Sequence, residues 1–204
     1  MKVEKQEIRD KYDEAARWYD RATAVPEWFG VGRLRREVVV LASGRVLEIA
    51  CGTGGNFRYY RRDAAVVAAD MSEAMLSVAR RRAGRLGLHA CFAIMDGERL
   101  AVGDRSFDTV LSTLTLCTFP DPVAALREMS RVCREGGRVL LLEHGRSDRE
   151  WIGRWQDRSA GRHAETLGCR WNRRPLDLVR QAGLTLVEAR RTFLGVFHLI
   201  DARP

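Results

Sequence analysis

Residues 45–56 read Arg45-Val46-Leu47-Glu48-Ile49-Ala50-Cys51-Gly52-Thr53-Gly54-Gly55-Asn56. A short apolar run meets an acid, and glycines follow at 52, 54 and 55. A strand that feeds a glycine-rich loop opening a helix is a nucleotide-binding device, because glycine lets the backbone turn sharply and approach a ligand closely. Glu48 stands beside that loop, where a cationic or hydroxyl-bearing ligand can meet it. The loop departs from the dinucleotide pattern G-x-G-x-x-G, because Phe57 stands where the third glycine belongs. No G-K-[ST] follows, so it is not a Walker loop either.

From this stretch onward the chain alternates strands and helices. Strands are expected at 46–50, 65–70, 89–94, 107–114 and 138–143. The second is a continuous apolar run, as a parallel strand covered on both faces requires. Helices are expected at about 54–62, from the cap Ser72 to Gly84 and Gly87, and from Asp121-Pro122 through Val132. Two helical segments come first. Ile8, Tyr12, Ala15, Ala16 and Tyr19 recur at helical spacing; Pro26 then interrupts, and Trp28, Val31, Leu34, Val38 and Leu41 form a second apolar face. Beyond the last parallel strand, residues 149–165 read as a helix. A short helix at 175–182 follows with Asn172 as its cap. Strands at 184–192 and 195–202 are close enough to pair as an antiparallel hairpin. The pattern predicts an α/β fold: a Rossmann-like seven-stranded sheet with helices on both faces and a C-terminal antiparallel hairpin. We expect one domain over 1–204, with 1–44 as an N-terminal helical extension and 145–175 as a lid-like insertion.

Composition narrows the function classes. Hydrophobic residues make up 46% and charged residues 30% of the 204 positions, ordinary values for a globular chain. No apolar run approaches the roughly 20 residues of a membrane helix. The segment Met1–Glu14 is charged and lacks a signal peptide's apolar core, so a cytoplasmic location is expected. The net charge of +8 comes almost entirely from arginine. Without a nucleic-acid-binding motif, this reads as a solvated basic surface, and no nucleic-acid partner is expected. Cys51, Cys91, Cys117, Cys133 and Cys169 are odd in number, widely spaced and without a C-x-x-C pair. That argues against a disulfide framework and against a zinc site, and no metal is expected.

Two acids sharpen the ligand. Asp70 ends the second strand, where a carboxylate can accept hydrogen bonds from two ribose hydroxyls, and Met71 after it can lie against an adenine face. Asp96, in Met95-Asp96-Gly97-Glu98 just past the third strand, can accept from an adenine amino group. These positions fall at the carboxyl ends of successive strands, where open α/β sheets bind ligands.

The ordered motifs Glu48-Ile49-Ala50-Cys51-Gly52-Thr53-Gly54, Asp70-Met71-Ser72-x-x-Met75, Asp96-Gly97, Phe107-Asp108-Thr109-Val110 and Glu135-Gly136-Gly137 resemble those of class I S-adenosylmethionine-dependent methyltransferases. The resemblance covers residues 7–202. Tyr12-Asp13, Tyr19-Asp20, Leu114-Thr115-Leu116-Cys117-Thr118, Leu142-Glu143-His144-Gly145 and Gly168-Cys169-x-Trp171-Asn172-Arg173 look like the branch of ubiquinone/menaquinone C-methyltransferases and of methyltransferase-like proteins acting on thiols or near lipid. The resemblance implies S-adenosylmethionine as cofactor and S-adenosylhomocysteine as product. It implies that Gly52 and Gly54 line the methionine part, and that Glu48 acts through the loop on the amino group. Asp70 binds the ribose, Met71 packs on adenine, and Asp96 holds the adenine amino group. Thr113 and Leu114 face the methionyl chain, while Tyr12 and Tyr19 close over the cofactor. Ala50, Cys51, Asn56, Met75 and Gly97 join the same site. Cys51 departs from the more usual Gly or Ala.

The reaction implied is in-line displacement at the sulfonium methyl, in which the protein aligns the partners and excludes water. His144, just after the fifth strand, is the candidate base or substrate contact. A lid is expected from 1–30 and 145–172, both rich in tryptophan, which points to a small lipophilic acceptor or to peripheral contact with an anionic membrane. Three other readings stand beside it: a phospholipid or thiol methyltransferase at a membrane surface, an NAD-dependent oxidoreductase, and a binding module without activity. The acceptor atom and the oligomeric state stay open.

Overall fold

The structure, a computed structural model, describes residues 5–204. Five parallel strands form its centre: β1 (Arg45–Ile49), β2 (Ala65–Asp70), β3 (Ala90–Ile94), β4 (Phe107–Thr113) and β5 (Cys133–His144). Two more, β6 (Thr185–Thr192) and β7 (Phe197–Arg203), complete a sheet of order β3-β2-β1-β4-β5-β7-β6. β7 runs antiparallel to β5 over Val139–His144 and antiparallel to β6 on its other side. The expected seven-stranded α/β sheet and C-terminal hairpin are therefore present.

Alternation along the strands sets two cores, since successive side chains leave a sheet on opposite faces. Leu47, Ile49, Val110, Val139 and Leu141 pack on one face against α5 (Pro122–Val132) and α7 (Pro175–Gln181). Val46, Leu111, Leu140 and Leu142 pack on the other against α3 (Gly32–Val39) and α4 (Glu73–Leu86). Leu47, Leu111, Leu140 and Leu141 are essentially fully buried. Each such side chain stabilises the fold by ~1.5–3 kcal/mol.

Caps fix where the helices over the sheet begin. Ser72 accepts from Met75 N at 3.0 Å ahead of α4. Asp121 accepts from Val123 N and Ala124 N ahead of α5. Replacing Asp121 by alanine should lower stability by about 1 kcal/mol in a urea unfolding titration, because both N–H groups lose their partner. An unchanged midpoint would show that water satisfies them equally well.

Four elements differ from the sequence reading, each for a local reason. The segment 54–62 is not a helix; only a single 3₁₀ turn forms over Phe57–Tyr59. Gly54 has φ 78°, and its neighbours Asn56 and Tyr60 turn inward to hydrogen-bond Glu48 instead of continuing a helix. Pro26 does not interrupt. It ends α2 (Tyr19–Pro26), which follows α1 (Lys5–Ala15), and the chain passes through a kinked segment at Glu27–Val31 into α3. The break falls instead at Gly30, whose φ of 134° is open to glycine and rarely adopted by other residues. β5 begins at Cys133, earlier than expected, with a register shift between its pairs Phe107↔Cys133 and Thr109↔Arg138. Asn172 does not cap α7, which Arg174 precedes; the Asn172 amide donates to Asp157 at 3.0 Å. Asp157 lies on α6 (Glu150–Leu167), the helix that crosses after β5.

Candidate functional site

The carboxyl ends of β1, β2 and β4 open into a cavity of about 550 Å³. Its floor is built where the chain leaves these strands. Ala50 leaves β1 with φ 52°, Gly52 with φ 55° and Leu114 leaves β4 with φ 60°. A Cβ placed on Gly52 would meet nothing within 4 Å, so this backbone borders open space. Such a bare, sharply turned backbone admits a ligand at close range.

Asp70 is 8% exposed and lines the cavity. Its Oδ2 accepts from Gly52 N at 2.8 Å and its Oδ1 from Ser72 N at 2.9 Å. Each oxygen has a further lone pair for a ligand hydroxyl. Burial raises the Asp70 pKa, and the Ser72 and Gly52 N–H groups pull it partly back.

The N-terminal helices roof this floor. Tyr12 and Tyr19 line the cavity with ring centroids 6.1 Å apart. Burial raises both phenols, so they stay neutral hydrogen-bonding groups. The acids beside them latch the roof down. Asp13 accepts from Ser72 Oγ at 2.5 Å, and Asp20 accepts from Thr53 Oγ1 at 2.7 Å and pairs with Arg82. Lys5 pairs with Asp96 at 2.6 Å and Glu98 at 2.7 Å.

Of the residues expected to contact a cofactor, Tyr12, Tyr19, Ala50, Cys51, Gly52, Asp70, Met71, Met75, Asp96, Gly97, Thr113 and Leu114 all border this cavity. Gly54 and Asn56 lie behind it. So does Glu48, which is 1% exposed and takes hydrogen bonds from Asn56 Nδ2 at 2.9 Å and Tyr60 Oη at 2.6 Å. Burial pushes Glu48 up to about 7, against the pull of those two donors. It holds the loop in shape from beneath. Asp96 has its carboxylate engaged by Lys5 and by Glu98 N at 2.9 Å.

His144 does not border the cavity among the described residues. Its Nε2 faces Cys169 Sγ at 3.4 Å. Burial works against its charged form, but the contact and charge of Cys169 outweigh this and the net shift is upward. Glu143 beside it points away, accepting from Thr115 N and Leu116 N and fixing the loop after β4.

Sequence reasoning missed Arg35. From α3 it enters the cavity wall, where Nε donates to Glu27 Oε1 at 2.7 Å and Nη1 to Asn56 Oδ1 at 3.1 Å and Thr113 Oγ1 at 2.5 Å. A guanidinium held in this way presents a fixed cation to an anionic end of a ligand. Its only signal in the sequence was a position on the inner face of an amphipathic helix.

A sheet of this order, with a bare turn after β1 and a buried acid ending β2, defines a nucleoside-binding α/β protein. A family model described as a methyltransferase domain matches residues 47–141. The mitochondrial methyltransferase OMS1 of Saccharomyces cerevisiae is 30% identical over 94% of this chain and 45% of its own length. Phosphatidylethanolamine N-methyltransferase of Cereibacter sphaeroides is 35% identical over 61% of this chain and 62% of its own. Ubiquinone/menaquinone biosynthesis C-methyltransferase UbiE of Bdellovibrio bacteriovorus is 35% identical over 68% of this chain and 62% of its own. The chain thus spans less than two thirds of the length of these relatives. The relatives named here are all methyltransferases, and the motifs of the chain resemble the class I family that uses S-adenosylmethionine as cofactor.

The cavity suits that cofactor. Its volume falls within the ~300–1,000 Å³ of small-molecule sites. Asp70 offers further lone pairs at the cavity edge, Arg35, paired on one side with Glu27, brings a guanidinium to the wall, and Gly52 leaves space beside the backbone. No helix among the described residues is long and apolar enough to cross a membrane.

Proposed function

We propose that this chain transfers a methyl group from S-adenosylmethionine to a small lipophilic acceptor by in-line displacement. The observation that carries the reading is the cavity at the ends of β1, β2 and β4, with buried Asp70 at its edge and Tyr12 and Tyr19 across its mouth. Bound there, the cofactor supplies an already activated sulfonium methyl. The chain's own work is then orientation and exclusion of water. Asp70 takes the ribose hydroxyls, Arg35 takes the carboxylate, and the tyrosines shield the reacting centre. Asp96 can take the adenine amino group once Lys5 yields one carboxylate oxygen. The surroundings of His144 favour a role other than base, since its ring nitrogen meets a thiol and not the cavity.

Calorimetry tests the reading. S-adenosylhomocysteine should bind and NADH should not; binding of NADH alone would replace it with a dehydrogenase. Arg35→Ala should weaken S-adenosylhomocysteine about tenfold, the size of one charge-assisted hydrogen bond. Equal affinity in the variant would remove Arg35 from the cofactor's carboxylate.

Supporting a lipophilic acceptor, Trp28 and Phe29 beside the Gly30 kink are 84% and 69% exposed, and Trp28 borders the cavity. Phe193 and Leu194 stand exposed beside them, with the Phe193 ring against Gly30. Apolar groups at a cavity mouth on a chain of net charge +8 suit an anionic bilayer from which the acceptor is drawn. The two relatives named for a phospholipid and for quinones are in keeping with such an acceptor. The chain should co-sediment with anionic vesicles, and Trp28→Ser/Phe29→Ser should release it; no binding of the unaltered chain would discard the membrane route. A methyl-transfer screen over quinols, phospholipid amines and alkyl thiols then selects the acceptor.

A further inference from the structure

Three of the cysteine and histidine side chains converge behind the cavity. Cys117 sits on the loop after β4, His144 ends β5, and Cys169 follows the left-handed Gly168 that ends α6. Their Sγ, Nε2 or Nδ1, and Sγ atoms all lie within 4.8 Å of one another. Cys169 Sγ stands 3.4 Å from His144 Nε2. The backbone brings the two cysteine segments together independently, since Arg170 N donates to Cys117 O at 2.8 Å.

We propose that Cys117, His144 and Cys169 bind one zinc ion, which fastens the end of α6 to the carboxyl edge of the sheet. Two thiolates and an imidazole are the donors zinc takes, with Zn–S near 2.3 Å and Zn–N near 2.0–2.1 Å. Around a tetrahedral ion those lengths place sulfur and nitrogen about 3.6 Å apart and the two sulfurs about 3.8 Å apart. The observed spacing needs only small side-chain adjustments to reach both values. Calcium and magnesium are poorly matched, because they take oxygen donors. No fourth His, Cys, Asp or Glu joins the group among the described residues, which leaves the fourth position to water or an added ligand. Binding releases the thiol protons to solvent, and no electron is transferred.

The expectation of no metal rested on local spacing. These donors come instead from three separate segments that only the folded sheet brings together. The consequence reaches the segment after β5: α6 (Glu150–Leu167) lies between Arg149 and Gly168, and zinc would close that long excursion at its far end.

The test uses the whole chain, produced in zinc-supplemented medium and purified with reductant but no chelator. Elemental analysis should find about one zinc per chain. Cobalt titrated anaerobically into the zinc-free chain should give a sulfur-to-cobalt charge-transfer band. Cys117→Ser and Cys169→Ser should each weaken cobalt binding by at least about tenfold, while Cys91→Ser, which alters an exposed thiol elsewhere, should leave it unchanged. Removing zinc should speed hydrogen exchange at the end of α6 and leave β1 and β2 as they were. The cobalt band of the unaltered chain keeps the test decisive if a variant fails to fold. Three results would overturn the proposal: a chain without zinc that shows no cobalt band, a Cys117–Cys169 disulfide in the reduced preparation, or copper in place of zinc. None of these readouts depends on methyl transfer.

Discussion

Asp70→Asn should weaken S-adenosylhomocysteine binding by at least about 100-fold in calorimetry. The carboxylate at the end of β2 faces the cavity with both oxygens already anchored by Gly52 N and Ser72 N. A ribose diol would add two charge-assisted hydrogen bonds, each worth ~1.5–3 kcal/mol. The amide removes the charge, and its NH₂ end cannot accept from either backbone N–H. One side of the loop after β1 therefore loses its anchor as well as its ligand. Met71 and the cavity floor remain, so adenine contacts alone should survive. The thermal midpoint without ligand separates the two losses: a small drop with lost affinity places Asp70 at the ribose. Affinity within threefold of the unaltered chain would show that the ribose lies elsewhere.

Stability should fall as pH rises from about 5 to about 7.5. Two buried carboxyls pull in this direction. Burial pushes Glu48 up to about 7 against the donors Tyr60 and Asn56, with Arg35 lowering and Asp70 raising it. Burial likewise pushes Glu143 up to about 7 against Thr115 N, His144 and Leu116 N. The unfolded chain ionises such groups near 4.5. A raised folded value means the folded state holds the proton longer. Its stabilisation is complete below pH 4.5 and lost as pH climbs through about 7, by up to about 3 kcal/mol for each group. His198 works in the opposite sense. Burial pulls it down to about 4 from 6.5, so its contribution is present above 6.5 and lost as pH falls through 4. Thermal melts from pH 4 to 8 should therefore peak near pH 5, and Glu48→Gln should flatten the alkaline limb by more than half, because His198 offsets part of the Glu143 contribution that remains. A midpoint that rises steadily to pH 8 in both proteins would contradict the buried-carboxyl account.

The parallel core was legible because its signals are local. An apolar β2 covered on both faces, Ser72 as a cap and Pro122 at a first turn each carry their meaning within a few residues. The floor of the cavity was legible for the same reason, since glycine and acid positions follow the strand ends. What escaped depends on partners distant in sequence. Beyond its place on the inner face of an amphipathic helix, nothing local distinguishes Arg35 from the other arginines of an arginine-rich chain; folding brings it to Thr113 and Asn56. Glu48 was expected to act through the loop on the ligand's amino group; Tyr60 and Asn56 hold it beneath that loop, and their pairing unmakes the helix that local spacing predicted at 54–62. Lys5 engages Asp96 from the opposite end of the motif order.

The place of β7 bears on how the chain assembles. Of the seven strands it is made last, yet it lies inside the sheet, between β5 and β6. While the ribosome is still producing residues 197–203, β6 has no neighbour to pair with, and β5 presents an open apolar margin from Val139 to Leu142. The nascent chain can settle its nucleoside half early, but it must wait for those few residues to seal the other half. Until β7 arrives, that margin of β5 is an unpaired strand edge, the kind of surface open to wrong pairing.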